Sequence, residues 1–326
     1  MNNPSDGVLT LHLGLPKTAS TWLQKSVFPA MGGIDYLGHM SWKSIRIPPR
    51  NRKTRLDKIF RMHPRVWDKF GDFIFRELID GRSSFERGSV LISEEKIILP
   101  RFFAESATAE DGLDFLLAEH LERLRIHAQK AGFDYLRLLV LVRRQDHWLA
   151  SRYAQSSAFR ADGSQNDFES AVKYLIGKGF DLHGFRLQYD RLYRILSEVV
   201  GAGGVTFLPY EEVRYDRERF LESLSSGVGG RLTSLPIDED TMHHSNVRSK
   251  SNTSWQLRKR SRKVRVPKLI RPIFGGKRRL DLSRPSEANQ IVLSETLSNQ
   301  IREAYYESNQ KLAALINRDL KGLGYY

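Results

Sequence analysis

The sequence predicts a three-layer α/β fold with a central parallel sheet, and three observations carry that expectation. Short apolar runs near residues 8–13, 89–92, 136–142 and 205–208 alternate with longer helical stretches, as strands joined by crossover helices do. The third run, LRLLVLV, is almost unbroken, which suits a strand buried on both faces of a parallel sheet. At 326 residues with no evident internal repeat, the chain is long enough for one large domain with insertions, and a single domain over 1–326 is expected.

The first run, Val8, Leu9, Leu11 and Leu13, ends at Gly14. A turn with Pro16 and Lys17 follows, and Thr18, Ser20 and Thr21 open a helical stretch from Trp22 to Phe28. A strand that turns into a helix N-terminus aims several backbone N–H groups and the positive end of the helix dipole at one spot. With a lysine and three hydroxyls added, that spot suits a tetrahedral anion such as phosphate or sulfate. A plain N-cap at Thr18 or Ser20 would need neither the Gly-x-Pro-Lys turn nor three hydroxyls. The nucleotide P-loop, G-x-x-x-x-G-K-[ST], does not fit: two residues separate Gly14 from Lys17, and no glycine precedes the lysine.

The second run passes through Ser89-Val90-Leu91-Ile92-Ser93 into Glu94 and Glu95, a strand ending in two carboxylates. Successive strand residues face opposite sides, so one of the pair faces a cleft at that edge. The third run is followed at once by RRQDHWLASRYAQ. Ligands of open α/β sheets collect at the carboxyl ends of strands, so Arg143 stands where a ligand contact is expected, with Ser151 further on in the following helix. The fourth run, in VTFLPYEEV (205–213), ends in an acidic turn.

GLPKTASTWLQ resembles the 5′-phosphosulfate loop of sulfotransferases that use 3′-phosphoadenosine 5′-phosphosulfate (PAPS), whose pattern is close to P-K-[TS]-G-[TS]-[TS]-x-L. Ala19 stands where glycine is usual, and Ser20 replaces a common threonine while keeping the hydroxyl. Downstream, Arg143, Ser151 and Tyr153 fall in register with that family's 3′-phosphate motif, R-x-P-x-x-R-x-x-S-x-Y. Gln145 replaces the proline and Trp148 the second basic residue. The stretch from Tyr305 to Tyr325 resembles the terminal helix of bacterial members.

The resemblance implies a P-loop-like sulfotransferase architecture with PAPS as co-substrate and no metal. It implies that Pro16, Lys17, Thr18, Ala19, Ser20, Thr21 and Trp22 hold the donor's 5′ end through backbone N–H groups and hydroxyls. Arg143 and Ser151 would hold the 3′-phosphate, and Lys17 would stabilise the leaving oxygen. For the general base it points to Glu95, with Glu94 next, because several bacterial and glycan-modifying members place a glutamate at the end of this strand. His39 and His147 are the histidine alternatives, as in the cytosolic small-molecule branch; His39 follows Tyr36-Leu37-Gly38 in what reads as a loop. The acceptor implied is a hydroxyl on a carbohydrate or glycolipid. Two other readings stand beside this one: a kinase-like P-loop phosphotransferase requiring magnesium and ATP, and a non-catalytic nucleotide- or polyanion-binding protein.

Charge is concentrated in one segment. The net charge is +14, yet thirteen of the 52 basic residues and none of the 38 acidic ones fall between Thr241 and Leu280, so the remainder is close to neutral. This segment, broken by Pro267, Pro272 and Gly275-Gly276, reads as a basic C-terminal insertion, a lid or arm over 241–284. A second basic stretch, 41–69, holds ten Lys or Arg residues against Asp57 and Asp68. Three uses are open for them: a solvated charge run, a groove or lid for the donor's 3′-phosphate and an anionic acceptor, or attachment to anionic lipid head groups. In the last case Trp255, Leu257, Val264, Val266, Leu269 and Ile270 would form the apolar side. No nucleic-acid recognition motif accompanies the charge.

The chain has no cysteine, hence neither a disulfide nor a thiolate metal site, which fits a reducing compartment. MNNPSDGVLTLHLG lacks the basic and apolar regions of a signal peptide. No apolar run approaches the ~18 residues of a membrane span. A soluble cytoplasmic protein is expected, with peripheral contact to the inner membrane face as an option.

Overall fold

The computed structural model describes residues 7–40, 43–47, 52–80, 88–98, 113–160, 163–177, 187–232, 253–258, 263–265, 279–281 and 290–326. Five strands form the central sheet: β1 (Val8–His12), β2 (Ile34–His39), β3 (Ser89–Ser93), β4 (Tyr135–Val142) and β5 (Val205–Pro209). Their order is β2-β3-β1-β4-β5, and every pairing is parallel. Four of the five coincide with the apolar runs of the sequence. The fifth, β2, takes in the Tyr36–His39 stretch that reads as a loop. It is an edge strand whose six residues are all half-buried, with a register shift between Tyr36 and His39 and Gly38 at φ 86°. An edge strand of that kind needs no apolar run, so its sequence carries no strand signal.

The principal helices are α1 (Val66–Leu78), α2 (Leu113–Lys130), α3 (Gln145–Ser156), α4 (Gln165–Gly177), α5 (Tyr189–Val200), α6 (Arg217–Val228), α7 (Glu295–Ala304) and α8 (Tyr306–Ile316). Strand alternation sorts the sheet into two cores. Leu9 and Leu11 of β1, with Leu13 beyond it, face a large core shared with Trp67 of α1, Leu121 of α2, Trp148 of α3 and Leu192 of α5. Leu91, Leu139 and Leu141 face the other way, onto Leu23, Val27 and Phe28 and onto Phe220, Leu221 and Leu224 of α6. This is the expected three-layer arrangement. From the centre of the sheet the chain leaves β1 towards β2 on one flank and leaves β4 towards β5 on the other. The topological switch point of an open α/β sheet therefore lies between β1 and β4, at their carboxyl ends.

Most of the 241–284 insertion lies outside the described residues. Within it, Ser254–Gln256 pairs antiparallel with Gln290–Val292, and Lys263–Arg265 with Arg279–Asp281. Trp255 is only 6% exposed, and it and Leu257 pack against the large core. Val266, Leu269 and Ile270 fall outside the described residues, as does the side chain of Val264. In the 41–69 stretch, Lys43 pairs with Asp80, while Arg55 and Arg61 converge on buried Asp57 at 2.8 and 3.5 Å. Among the described residues, no helix is long and apolar enough to cross a membrane.

Candidate active site

The turn after β1 remains hydrogen-bonded to the sheet. Leu13 N donates to Leu139 O at 2.8 Å and Leu15 N to Leu141 O at 3.3 Å, so the backbone stays against β4 until Pro16. It then reverses through two left-handed residues, Lys17 at φ 75° and Ala19 at φ 61°. Ser20–Trp22 forms one α-turn, Leu23–Val27 a wider π-type turn and Phe28–Ala30 a 3₁₀ turn. A left-handed residue leading into right-handed ones turns successive N–H groups to one side, the geometry of an anion nest. The left-handed form costs a residue with a Cβ about 1–2 kcal/mol. Ala19→Gly is therefore expected to raise stability by about 0.5–1 kcal/mol, after allowing for the greater freedom of glycine in the unfolded chain. The check is a higher denaturant midpoint at unchanged slope.

The hydroxyls do not all face outward. Buried Thr18 donates its hydroxyl to Leu15 O. Buried Ser20 hydrogen-bonds Glu95 and lies 3.4 Å from Leu15 O. A hydroxyl has one proton to give, so the expectation that all three grip the anion is corrected. In this arrangement the donors are the backbone N–H groups, Lys17 and half-buried Thr21. No side chain caps the first turn. The Trp22 side chain packs into the smaller core beneath the Arg217 guanidinium, 5.6 Å from its ring centre. Trp22 can thus serve the loop through its backbone.

Across the switch point, Arg143 Nη1 donates to Lys17 O at 2.9 Å, and the guanidinium lies 4.9 Å from the centre of the Tyr210 ring. Arg143 Nε is buried without a hydrogen-bond partner among the described residues, a donor that an anion would satisfy. Trp148, which takes the place of a basic residue in the second motif, donates its indole N–H to Pro16 O at 2.8 Å. Ser151 follows on α3, 6% exposed. Tyr153 points away, its hydroxyl bonded to Asp167 at 2.5 Å and to Ser164 O at 3.0 Å. Loop and second motif are thus joined at two adjacent carbonyls.

On the other flank of β1, the turn after β3 separates the two glutamates. Glu94 is fully buried; its N–H donates to His12 O at 2.9 Å, and its carboxylate accepts Lys96 N at 3.1 Å. That bond fixes the turn. Half-buried Glu95 accepts the Ser20 hydroxyl. Burial pushes its carboxyl above the ordinary glutamate value, against that bond and the charges of Lys96, Lys17 and Arg152. His39 lies in register with Ser93 at the end of β2, its ring lowered by burial and by Lys96. His147 is lowered to about 4 by burial, and its ring sits edge-on to Trp255 at 5.8 Å, beside the second motif. No group of three His, Asp or Glu residues placed to hold a metal occurs among the described residues.

No protein-family model and no curated protein matches the sequence. Among solved structures, the chain is similar to the crystal structure of a sulfotransferase from Alicyclobacillus acidocaldarius, with 12% identity, 99% of each chain covered and a TM-score of 0.50. This chain has a sulfotransferase fold.

Within that sulfotransferase fold, several residues at the site escape a reading of the sequence. His12, at the end of β1, is fully buried; its Nδ1 lies 2.8 Å from Ser93 Oγ, which also accepts Gln24 Nε2 at 2.9 Å. Burial, with His39 nearby, lowers the His12 ring to about 3, so it stays neutral. It also explains Gly14, where a Cβ would fall 2.5 Å from His12 Nε2. A lone histidine in an apolar run two residues before a glycine was the available signal. Arg152, next to Ser151, faces the charges of both Glu95 and Arg258. Arg258, from the basic segment, is fastened by its N–H to Ser157 Oγ at 2.8 Å.

Proposed function

We propose that this protein transfers a sulfuryl group from PAPS to a hydroxyl of a carbohydrate or glycolipid acceptor. One observation carries the reading: at the switch point, the left-handed Lys17 loop is tied to Arg143 on one side and hydrogen-bonded to a buried carboxylate, Glu95, on the other. An in-line displacement at sulfur needs those two chemistries on opposite sides of the reacting group.

In this mechanism the loop N–H groups and Lys17 hold the 5′-phosphosulfate, and Arg143 with Ser151 takes the 3′-phosphate. Glu95 accepts the acceptor hydroxyl's proton as the new O–S bond forms. Lys17 stabilises the bridging oxygen as its bond to sulfur breaks, and adenosine 3′,5′-bisphosphate leaves. Positioning and preset electrostatics supply the rate enhancement, as in phosphoryl transfer. The Arg152 and Arg258 charges near Glu95 favour an acceptor that is itself anionic.

Calorimetric titration with adenosine 3′,5′-bisphosphate, adenosine 5′-monophosphate and ATP tests the reading. Selective, tight binding of the bisphosphate is the expected outcome. A preference for ATP with magnesium would instead favour the phosphotransferase alternative. Bisphosphate binding with no turnover across a glycan panel would favour a non-catalytic binding protein.

A further inference from the structure

Three consecutive residues of the turn between β4 and α3 are held, directly or through one intermediary, by the segment from α7 onward. Arg144 N donates to Glu211 Oε1 at 3.1 Å, and Glu211 Oε2 accepts the Tyr325 hydroxyl at 2.8 Å. Gln145 and Asn309 exchange amide hydrogen bonds at 2.8 and 3.0 Å, and Asn309 Nδ2 also reaches Tyr325 O at 3.2 Å. Asp146 accepts the Ser298 hydroxyl at 2.7 Å. The backbone before Tyr325 lies flat on this turn: a Cβ at Gly324 would fall 2.8 Å from Arg144 Nη1.

Glu211 is the junction. It is 7% exposed, so it has little water to fall back on, and a buried carboxylate depends on the donors around it. Those donors are the N–H at the start of α3 and the Tyr325 hydroxyl; the Arg143 charge is close enough to favour its ionised form, against the upward push of burial. Arg143 is fixed in turn by Tyr189, whose hydroxyl donates to Arg143 O at 2.6 Å, and by its own bond to Lys17 O.

We propose that Tyr325 is a positioning residue of the site: its hydroxyl orients Glu211, and Glu211 so oriented leaves Arg143 directed at the 3′-phosphate of the nucleotide. This inference rests on the donor reading given above. Without the hydroxyl, one Glu211 oxygen loses its donor, and the carboxylate turns to Arg143 and competes with the phosphate for it.

Tyr325→Phe is the test, because it keeps the buried ring and removes only the hydroxyl. Titration with adenosine 3′,5′-bisphosphate and adenosine 5′-monophosphate is run on the wild-type chain and the variant. The expected result is a loss of bisphosphate affinity of about 5- to 10-fold, the size of one hydrogen bond, with monophosphate affinity unchanged. Equal weakening of both nucleotides, or of neither, would overturn the proposal, since a merely structural hydroxyl has no reason to sense the 3′-phosphate. Glu211→Asp provides a second arm. It keeps the charge but is too short to reach both partners, so the same selective loss is expected, and an unchanged ratio would overturn the proposal as well. A wild-type chain that binds neither nucleotide, or binds both alike, would bring down the donor reading and this inference with it. Normal wild-type discrimination with an unaltered Tyr325→Phe ratio would bring down this inference alone.

Discussion

Lys17→Ala is expected to reduce sulfuryl transfer by about 10²- to 10³-fold, the usual cost of losing one preset donor at a developing oxyanion. The fold should survive the change. Lys17 already sits in the left-handed region at φ 75°, and alanine there bears the same strain. Its backbone carbonyl, the acceptor for Arg143, is also retained. Nucleotide binding should weaken less than turnover, because the loop N–H groups and Arg143 remain to hold the ground state while the charge at the bridging oxygen grows only in the transition state. Lys17→Arg should not restore the rate, since a planar guanidinium does not replace a compact ammonium inside a tight loop. A transfer assay against the acceptor panel decides the matter. An undiminished rate in Lys17→Ala would refute the mechanism.

Glu95→Gln is expected to cost about 10²- to 10⁴-fold, the typical contribution of a general base, and to remove the acid limb of the pH profile. The sign follows from burial, which raises the Glu95 carboxyl above its ordinary value. The active form is the carboxylate, so the wild-type rate is full above the raised value and falls as pH drops through it. The midpoint should therefore lie above the ordinary glutamate value of about 4.3. Stability runs the other way. A folded state that holds this proton more tightly than the unfolded chain loses stability as pH rises from the unfolded value through the folded one. At neutral pH, Glu95→Gln should accordingly be at least as stable as wild type while being far slower. If His39→Ala abolished transfer and Glu95→Gln did not, the base would be reassigned to the end of β2.

The sheet's centre is readable in the sequence because β1, β3, β4 and β5 are buried strands, and burial leaves apolar runs. β2 is not readable, since an edge strand with half-buried residues and Gly38 needs no such run. Within the site, the spacing from Gly14 to Thr21 and the place of Arg143 after β4 could be read locally, because a turn and the end of a strand are local events. The bonds that join them could not. Trp148 reaches Pro16 across 132 residues of chain, and Asn309 reaches Gln145 across 164. Trp148 looks like a defect in the motif until its indole N–H is seen to hold the loop. The inward turn of the Thr18 and Ser20 hydroxyls is equally hidden, because a sequence gives a hydroxyl's presence and not its partner.

The two adjacent carbonyls that Trp148 and Arg143 hold, at Pro16 and Lys17, bear on when the loop's disorder is lost. A glycine-poor loop clamped at successive residues is ordered as the chain folds, so an arriving nucleotide meets a preorganised cradle and bears little of that entropy itself. Tight recognition of a small, highly charged ligand then requires no large conformational closure at this end of the sheet.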